Sequence, residues 1–135
     1  MQDVVQILAW VVLGSALGGP ARYFVSGVVG RGIGETFPWG TMVVNVSGAL
    51  AIGVLAAAAS AHGAFSTPAA WQFAVTGFLG SYTTVSSFSL QTLALARDGQ
   101  VLRAGGNVLL SVVLCLFAVA LGYAAGLSVL GGNAP

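Results

Sequence analysis

Residues 36–96 read TFPWGTMVVNVSGALAIGVLAAAASAHGAFSTPAAWQFAVTGFLGSYTTVSSFSLQTLALA and contain no Asp, Glu, Lys or Arg. Within this stretch, His62 alone could carry a charge near neutral pH. Charged residues form 5% of the whole chain, against roughly 25% in soluble domains. A chain this poor in charge needs hydrocarbon rather than water as its solvent, so the composition predicts a membrane protein.

The number of membrane crossings follows from three charge-free stretches, residues 4–21, 36–96 and 104–135. A helix rises about 1.5 Å per residue and a bilayer core is about 30 Å thick, so one crossing takes about 20 residues. The first and third stretches each accommodate one crossing, and the middle stretch accommodates two with a turn near residues 62–68. The predicted fold is one all-α membrane domain, residues 1–135, with four transmembrane helices at 5–25, 39–59, 69–96 and 104–127.

The same composition excludes several classes of function. Four helices use almost the whole chain and leave no residues for a soluble catalytic domain, so we do not expect an enzyme. Nucleic-acid binding requires a basic surface, whereas this chain has no Lys and a net charge of +1. Cys115 is the single cysteine and therefore cannot form an internal disulfide.

Charges between the predicted helices favour one orientation in the membrane. Arg31 and Glu35 follow the first helix, and Arg97, Asp98 and Arg103 lie between the third and fourth helices. An even number of crossings places these two loops on the same face. By the positive-inside rule, the face that carries the arginines prefers the cytoplasm.

Arg22 is exceptional because it lies inside the first predicted helix, about 26 Å from its start. Two interpretations fit this position equally well. The side chain could extend to the lipid headgroups while its apolar stem stays in the membrane. It could instead place a fixed positive charge at the mouth of an anion pathway.

Narrow polar stripes run along the second and fourth predicted helices, where the spacing places each stripe on one face. The stripes consist of Thr41, Asn45 and Gly48 on one helix and Asn107, Ser111 and Cys115 on the other. Polar groups in hydrocarbon cost free energy unless they pair or line water. These stripes supply hydroxyl and amide donors, and the predicted spans contain no carboxylate, so they suit a small anion better than a cation.

The third predicted helix contains an unusual segment, residues 77–89, which reads GFLGSYTTVSSFS. Gly, Ser and Thr are weak helix formers, so this density of them predicts a helix break at mid-membrane depth, around residues 80–84. Broken backbone in a membrane is tolerated only inside protein or beside a cavity, and its freed carbonyls can hold a cation. The alternative is an intact helix whose hydroxyls bond back to their own carbonyls.

Three motifs together resemble the small four-helix fluoride channels called Fluc or CrcB. They are residues 18–23 (GGPARY), residues 40–48 (GTMVVNVSG) and the segment 77–89. Helix number and length match as well, so the resemblance covers nearly the whole chain. It implies a fluoride channel of the plasma (inner) membrane that lowers cytoplasmic fluoride passively. A negative interior would drive the anion outward by about 2.3 kcal/mol per 100 mV.

The resemblance also implies an assembly and a set of site residues. The assembly is an antiparallel, dual-topology homodimer with two pores at its interface and a structural Na⁺ at its centre. Backbone carbonyls of Gly80 and Thr83 would bind the Na⁺. The expected anion pathway comprises Arg22, Thr41, Asn45, Thr84, Ser87, Phe88, Asn107 and Ser111.

Three positions depart from the pattern of this family. Val85 and Gln91 replace the usual Phe and Glu, and Asn107 stands where Tyr is frequent. Because Val85 has no aromatic edge, the anion path there must differ or use neighbouring hydroxyls. Antiparallel assembly also needs both orientations, whereas the arginines favour one. A buried Arg22 or a sister chain of opposite orientation would each resolve this conflict.

Two other classes of protein compete with the channel. A small proton-coupled multidrug exporter would need a carboxylate within the membrane, and the predicted spans contain none. A non-conducting scaffold or partner subunit would need no polar stripes on three helices, yet the sequence leaves this alternative open.

Overall fold

A computed structural model describes residues 2–34, 36–61 and 64–130, and within these ranges the secondary structure is helical. The α-helices are α1 (Gln2–Ile33), α2 (Trp39–Ser60), α3 (Pro68–Trp71), α4 (Gly80–Tyr82), α5 (Val85–Arg97) and α6 (Val101–Leu130). A 3-10 turn, Ala64–Ser66, precedes α3, and a π-helix, Gln72–Leu79, joins α3 to α4. Glu35 and His62, which the sequence places in loops, lie outside the described residues.

Three described helices are long and apolar enough to cross a bilayer: α1 over Asp3–Ile33, α2 over Trp39–Ser60 and α6 over Val101–Val129. The segment predicted as a third crossing, residues 69–96, is divided among α3, the π-helix, α4 and α5. Large apolar side chains such as Leu102 are almost fully exposed, which suits contact with lipid. The predicted all-α membrane fold is therefore confirmed, whereas the count of four crossings stays a prediction.

The first helix is longer than the sequence predicts, because α1 continues to Ile33 instead of ending near Val25. Arg31 therefore lies in the last turn of α1 and not in a loop, at the end of the helix dipole that favours positive charge. The helix ends at Gly34, whose φ of 99° suits glycine and whose N–H donates to the Gly30 carbonyl at 2.9 Å.

The last helix also begins earlier than predicted. α6 starts at Val101, so Arg103 lies in its first turn rather than in the loop assigned from the sequence. Arg103 Nη1 donates to Gln100 Oε1 at 2.8 Å. The link from α5 turns at Gly99, where φ is 76°, a conformation that glycine adopts without strain.

Two glycine pairs allow the closest helix contacts, as their four-residue spacing predicts. A side chain at Gly14 or Gly18 of α1 would collide with backbone atoms of the π-helix. A side chain at Gly122 or Gly126 of α6 would collide with atoms of α2. The fold therefore consists mainly of α1 packed on the π-helix and α6 packed on α2, with α5 against α6.

A small core lies where α2 meets the divided third segment. Val44, Leu79 and Tyr82 are buried against one another. The Tyr82 ring stacks on Phe78 with ring centroids 5.8 Å apart, and its hydroxyl is hydrogen-bonded to Ser47 Oγ at 2.9 Å. These contacts hold the end of α4 against α2 and so fix the point at which the chain leaves the helix.

Candidate functional site

The chain leaves helical geometry at Thr83 and Thr84, between α4 and α5. Thr83 has φ −76° and ψ 159°, and Thr84 has φ −151° and ψ 121°, so both are extended. Thr84 also caps α5, because its Oγ1 accepts a hydrogen bond from the Ser87 N–H at 3.2 Å. The expected break is thus present but shorter than residues 80–84, since Gly80 keeps helical angles (φ −62°, ψ −32°).

Asn45 of α2 holds both backbone groups of Thr84. Its Nδ2 donates to the Thr84 carbonyl at 2.9 Å, and its Oδ1 accepts from the Thr84 N–H at 2.8 Å. A carboxamide matches a peptide group in this way because it presents one donor and one acceptor side by side. One side chain therefore replaces the backbone partners that Thr84 would find inside a continuous helix.

The carbonyl of Gly80 loses its helical partner as a result. In a continuous helix the Thr84 N–H would donate to it, but that N–H donates to Asn45 instead. The Thr83 N–H is also committed, since it donates to Leu79 at 3.0 Å. Uncharged carbonyl oxygens are ligands that a hard cation accepts. The Gly80 oxygen therefore fits the Na⁺ site that the resemblance implies, whereas the Thr83 oxygen also accepts a long contact from Arg22.

Arg22 brings a positive charge to the break. Its Nη1 donates to the Thr83 carbonyl at 3.5 Å, the long limit of a hydrogen bond, and the side chain is half-buried. Of the two interpretations that the sequence allows, this geometry favours a charge directed into the protein over one that extends to the headgroups.

A cavity of 260 Å³, called here the inner cavity, opens beside Arg22 and the break. The structure places four of the expected pathway residues on its wall: Arg22, Thr41, Thr84 and Ser87. The complete lining consists of Gly19, Arg22, Tyr23, Ser26, Thr41, Val44, Thr84, Ser86 and Ser87. Arg22 is the one charged residue among the described residues of this lining, so the inner cavity presents a guanidinium and several hydroxyls to whatever enters it.

Two serines of the lining, Ser26 and Ser86, were not among the residues expected from the sequence. Ser26 lies four residues after Arg22 and so shares its face of α1, a signal that could have found it. Ser86 joins a hydroxyl cluster with Thr84 and Ser87: the Oγ1 of Thr84 lies 3.1 Å from Ser86 Oγ and 3.2 Å from Ser87 Oγ. Its position depends on the cap at Thr84, which the sequence pattern does not reveal.

A second polar group lies between α5 and α6. Asn107 is 1% exposed, and its Nδ2 donates to Thr92 Oγ1 at 2.8 Å. Thr92 in turn donates to the Phe88 carbonyl at 2.7 Å. Ser111 is buried one turn along α6, as its four-residue spacing from Asn107 predicts. Thr92 was not among the expected residues, although it lies one turn after Phe88 in sequence.

The expected pathway residues therefore fall into two groups. The inner cavity holds four of them, Asn107 lies at the interface of α5 with α6, and Ser111 is buried one turn further along α6. Asn45 lies behind the break, outside the cavity lining, and Phe88 is half-buried on α5 between the two groups. Val85, which replaces the family's Phe, is 76% exposed on the outer surface of the chain.

Comparison with known proteins agrees with this architecture. The sequence model of a family described as "CrcB-like protein, Camphor Resistance (CrcB)" matches residues 9–123. The fluoride-specific ion channel FluC 2 of Rhodopseudomonas palustris (strain BisB18) is 68% identical, covering 93% of this chain and 96% of the relative. FluC 2 of Bradyrhizobium diazoefficiens is 62% identical over 84% of this chain and 83% of the relative. FluC of Methylocella silvestris is 51% identical over 84% and 88%.

The match spans the glycine pairs, the break and both polar groups, which all lie within residues 9–123 except Gly126. Three apolar helices of crossing length and these relatives together indicate a multi-pass protein of the bacterial plasma membrane. The chain belongs to the CrcB family of small membrane proteins.

Proposed function

We propose that this chain is a passive fluoride-specific ion channel, and not an enzyme, that lowers cytoplasmic fluoride. The observation that carries the proposal is the inner cavity, where the Arg22 guanidinium and the hydroxyls of Thr41, Thr84 and Ser87 converge without a carboxylate. Hydroxyl donors around one fixed positive charge favour a small anion. Close relatives named as fluoride-specific channels support fluoride as that anion.

The proposed path leads from the inner cavity along α5 to the polar face of α6. Ser87 lies on the cavity wall and Phe88 follows it in sequence. The Phe88 carbonyl accepts from Thr92, which in turn accepts from Asn107 of α6. The positive edge of the Phe88 ring would offer the anion a weakly favourable contact where hydroxyls are absent. Asn45 lies outside the cavity lining and would act on the path by holding the backbone of Thr84, which lines the cavity.

Exposed polar groups beside the break support assembly as a homodimer. Gly80, Ser86 and Ser89 are exposed in the single chain, at a depth where lipid offers no hydrogen bonds. A second copy placed over this face would cover the break and close the open side of the inner cavity. We propose the antiparallel arrangement, in which each copy would contribute its own break near a central axis.

The centre of this dimer is the proposed position of a structural Na⁺. The carbonyls of Gly80 and Thr83 would hold it, because the first has lost its helical donor and the second receives only a long contact from Arg22. A bound Na⁺ would supply a positive charge without any carboxylate in the membrane. Among the described residues, the carboxylates Asp3 and Asp98 lie at helix ends, so neither could balance a divalent ion there.

The test is anion efflux from liposomes that contain only this purified chain. Vesicles loaded with fluoride or with chloride, and clamped by a potassium gradient with an ionophore, should release fluoride rapidly and chloride at the rate of protein-free vesicles. Equal release of both anions would contradict the proposed selectivity. No release of either would mean that the chain alone is not a channel.

A further inference from the structure

A second cavity of 540 Å³, called here the outer cavity, lies at the C-terminal end of α1. It shares Tyr23, Ser26, Thr41 and Ser87 with the inner cavity, so the two cavities adjoin. The rest of its lining includes Gly27, Gly30, Arg31 and Gln91. The outer cavity therefore lies beside the inner cavity and extends along α1 toward the end of that helix.

Among the residues that the structure describes, Arg31 is the one charged residue in the lining of the outer cavity. Its side chain turns back along α1 over Gly27, where an added Cβ would lie 3.1 Å from Arg31 Nη1. A side chain at Gly27 would crowd the guanidinium and require it to shift slightly. Gly27 thus lets Arg31 lie close against α1 beside the cavity.

The two arginines line the two adjoining cavities, Arg22 the inner one and Arg31 the outer one. Nine positions of α1 separate Arg22 from Arg31, which corresponds to about 13 Å along the helix. This separation is close to the Debye length of about 10 Å at 0.1 M salt, so at lower ionic strength both charges act on an anion between them. Neutral hydroxyls and an amide form the rest of the polar wall, and the described lining holds no opposing carboxylate.

We propose that Arg31 is an anion-collecting residue, which raises the local anion concentration in the outer cavity and passes anions toward Arg22. The inference rests on the proposed fluoride conduction and identifies the charged residue that supplies anions to the pathway. Cavities lined by one sign of charge raise the local concentration of the opposite ion, and the effect falls as salt rises. Arg31 therefore acts on delivery to the pathway and touches no part of the break.

The experiment compares fluoride efflux for Arg31→Gln and Arg97→Gln at two ionic strengths set with an impermeant salt. Arg97 is the matched control, because it also ends a helix on the arginine-bearing face but lines neither cavity. At about 10 mM ionic strength, where the Debye length is about 30 Å, Arg31→Gln should reduce efflux by about tenfold. At about 1 M the Debye length is about 3 Å, and the variant should approach wild type.

Substitutions that keep or reverse the charge at position 31 distinguish an electrostatic effect of Arg31 on efflux from a structural one. Arg31→Lys should restore efflux at low salt, and Arg31→Glu should lower it further than Arg31→Gln. The inference is overturned if Arg31→Gln matches wild type at low salt, if its defect is independent of salt, or if Arg97→Gln shows the same loss. A wild-type chain without fluoride efflux would overturn the proposed function and this inference together, whereas wild-type efflux indifferent to Arg31 would overturn the inference alone.

Discussion

The carboxamide of Asn45 and the backbone of Thr84 form two hydrogen bonds, at 2.9 and 2.8 Å, across the point where the helix is broken. This contact joins residues 39 positions apart. It satisfies the two Thr84 groups that the break would leave unpaired, and it leaves the Gly80 carbonyl free. The same side chain thus stabilises the break and determines which oxygens are available near it.

Substitution of Asn45 should damage both stability and conduction. Asn45→Ala leaves the N–H and C=O of Thr84 unpaired, which should cost about 1–3 kcal/mol of stability and lower the unfolding temperature in detergent. Asn45→Asp keeps an acceptor for the Thr84 N–H but loses the donor and adds a charge that repels anions, so fluoride efflux should stop. Unchanged unfolding temperature in the first variant, or undiminished efflux in the second, would contradict these roles.

Arg22 should matter for conduction through its charge. Arg22→Gln removes the guanidinium from the inner cavity and should reduce fluoride efflux by about tenfold. Arg22→Lys keeps the charge but loses the planar donor group that reaches Thr83, so it should recover part of the rate. Efflux that is normal in both variants would show that the inner cavity is not part of the path.

The aromatic contact should depend on Phe88 alone. Phe88 is half-buried between the two polar groups, whereas Val85 is 76% exposed. Phe88→Ala should therefore abolish fluoride efflux, and Val85→Ala should have a mild effect. The reverse ranking would mean that Val85 occupies the pathway in place of the missing ring.

Gly80→Ala tests the dimer axis and the Na⁺ site. Within one chain an added Cβ at Gly80 would meet only ordinary contact, 3.7 Å from the Val75 carbonyl. Alanine should also favour the helix by about 1 kcal/mol, so the monomer should tolerate it. A second copy packed over this face would not tolerate the added methyl group, so the yield of cross-linked dimer and the rate of fluoride efflux should both fall.

Gly105→Ala is the matched control for this substitution, because an added Cβ at that position of α6 meets no atom within 4 Å. It should leave dimerisation and efflux at wild-type levels. If Gly80→Ala behaves like Gly105→Ala, the break does not lie at a crowded interface.

Replacement of sodium by a bulky organic cation tests the proposed Na⁺ directly. It should lower the fluoride efflux of the wild-type chain.

Residues 36–96 predicted the membrane fold well, because the absence of charge is a property of composition and needs no knowledge of contacts. The break was predicted from the density of Gly, Ser and Thr, and it lies within the predicted residues 80–84 but is shorter than expected. Gly80 stays helical, and the extended residues are Thr83 and Thr84, of which Thr84 is held by Asn45 and caps α5 by accepting from the Ser87 N–H. Asn45 lies on another helix and Ser87 lies one turn later, so the helix propensities of residues 80–84 do not reveal either contact.

The ends of α1 and α6 were predicted less well for a similar reason. The length of one bilayer crossing, about 20 residues, predicted an end of the first helix near Val25. α1 instead continues to Ile33, and Gly34, with a positive φ, ends it. Arg31 consequently belongs to the helix and reaches the outer cavity. The π-helix at Gln72–Leu79 was also not predicted from the sequence. It packs closely against Gly14 of α1, a contact between distant residues that the local sequence does not show.

The most direct test of the account is the reversal potential across a planar bilayer that contains only this chain. With sodium fluoride on one side and an equal concentration of sodium chloride on the other, current through the channel reveals which anion passes. A fluoride-specific channel should give a reversal potential far from zero, with the sign set by fluoride alone. A reversal potential near zero, or one with the sign set by chloride, would contradict the claim that this cavity and break form a fluoride pathway.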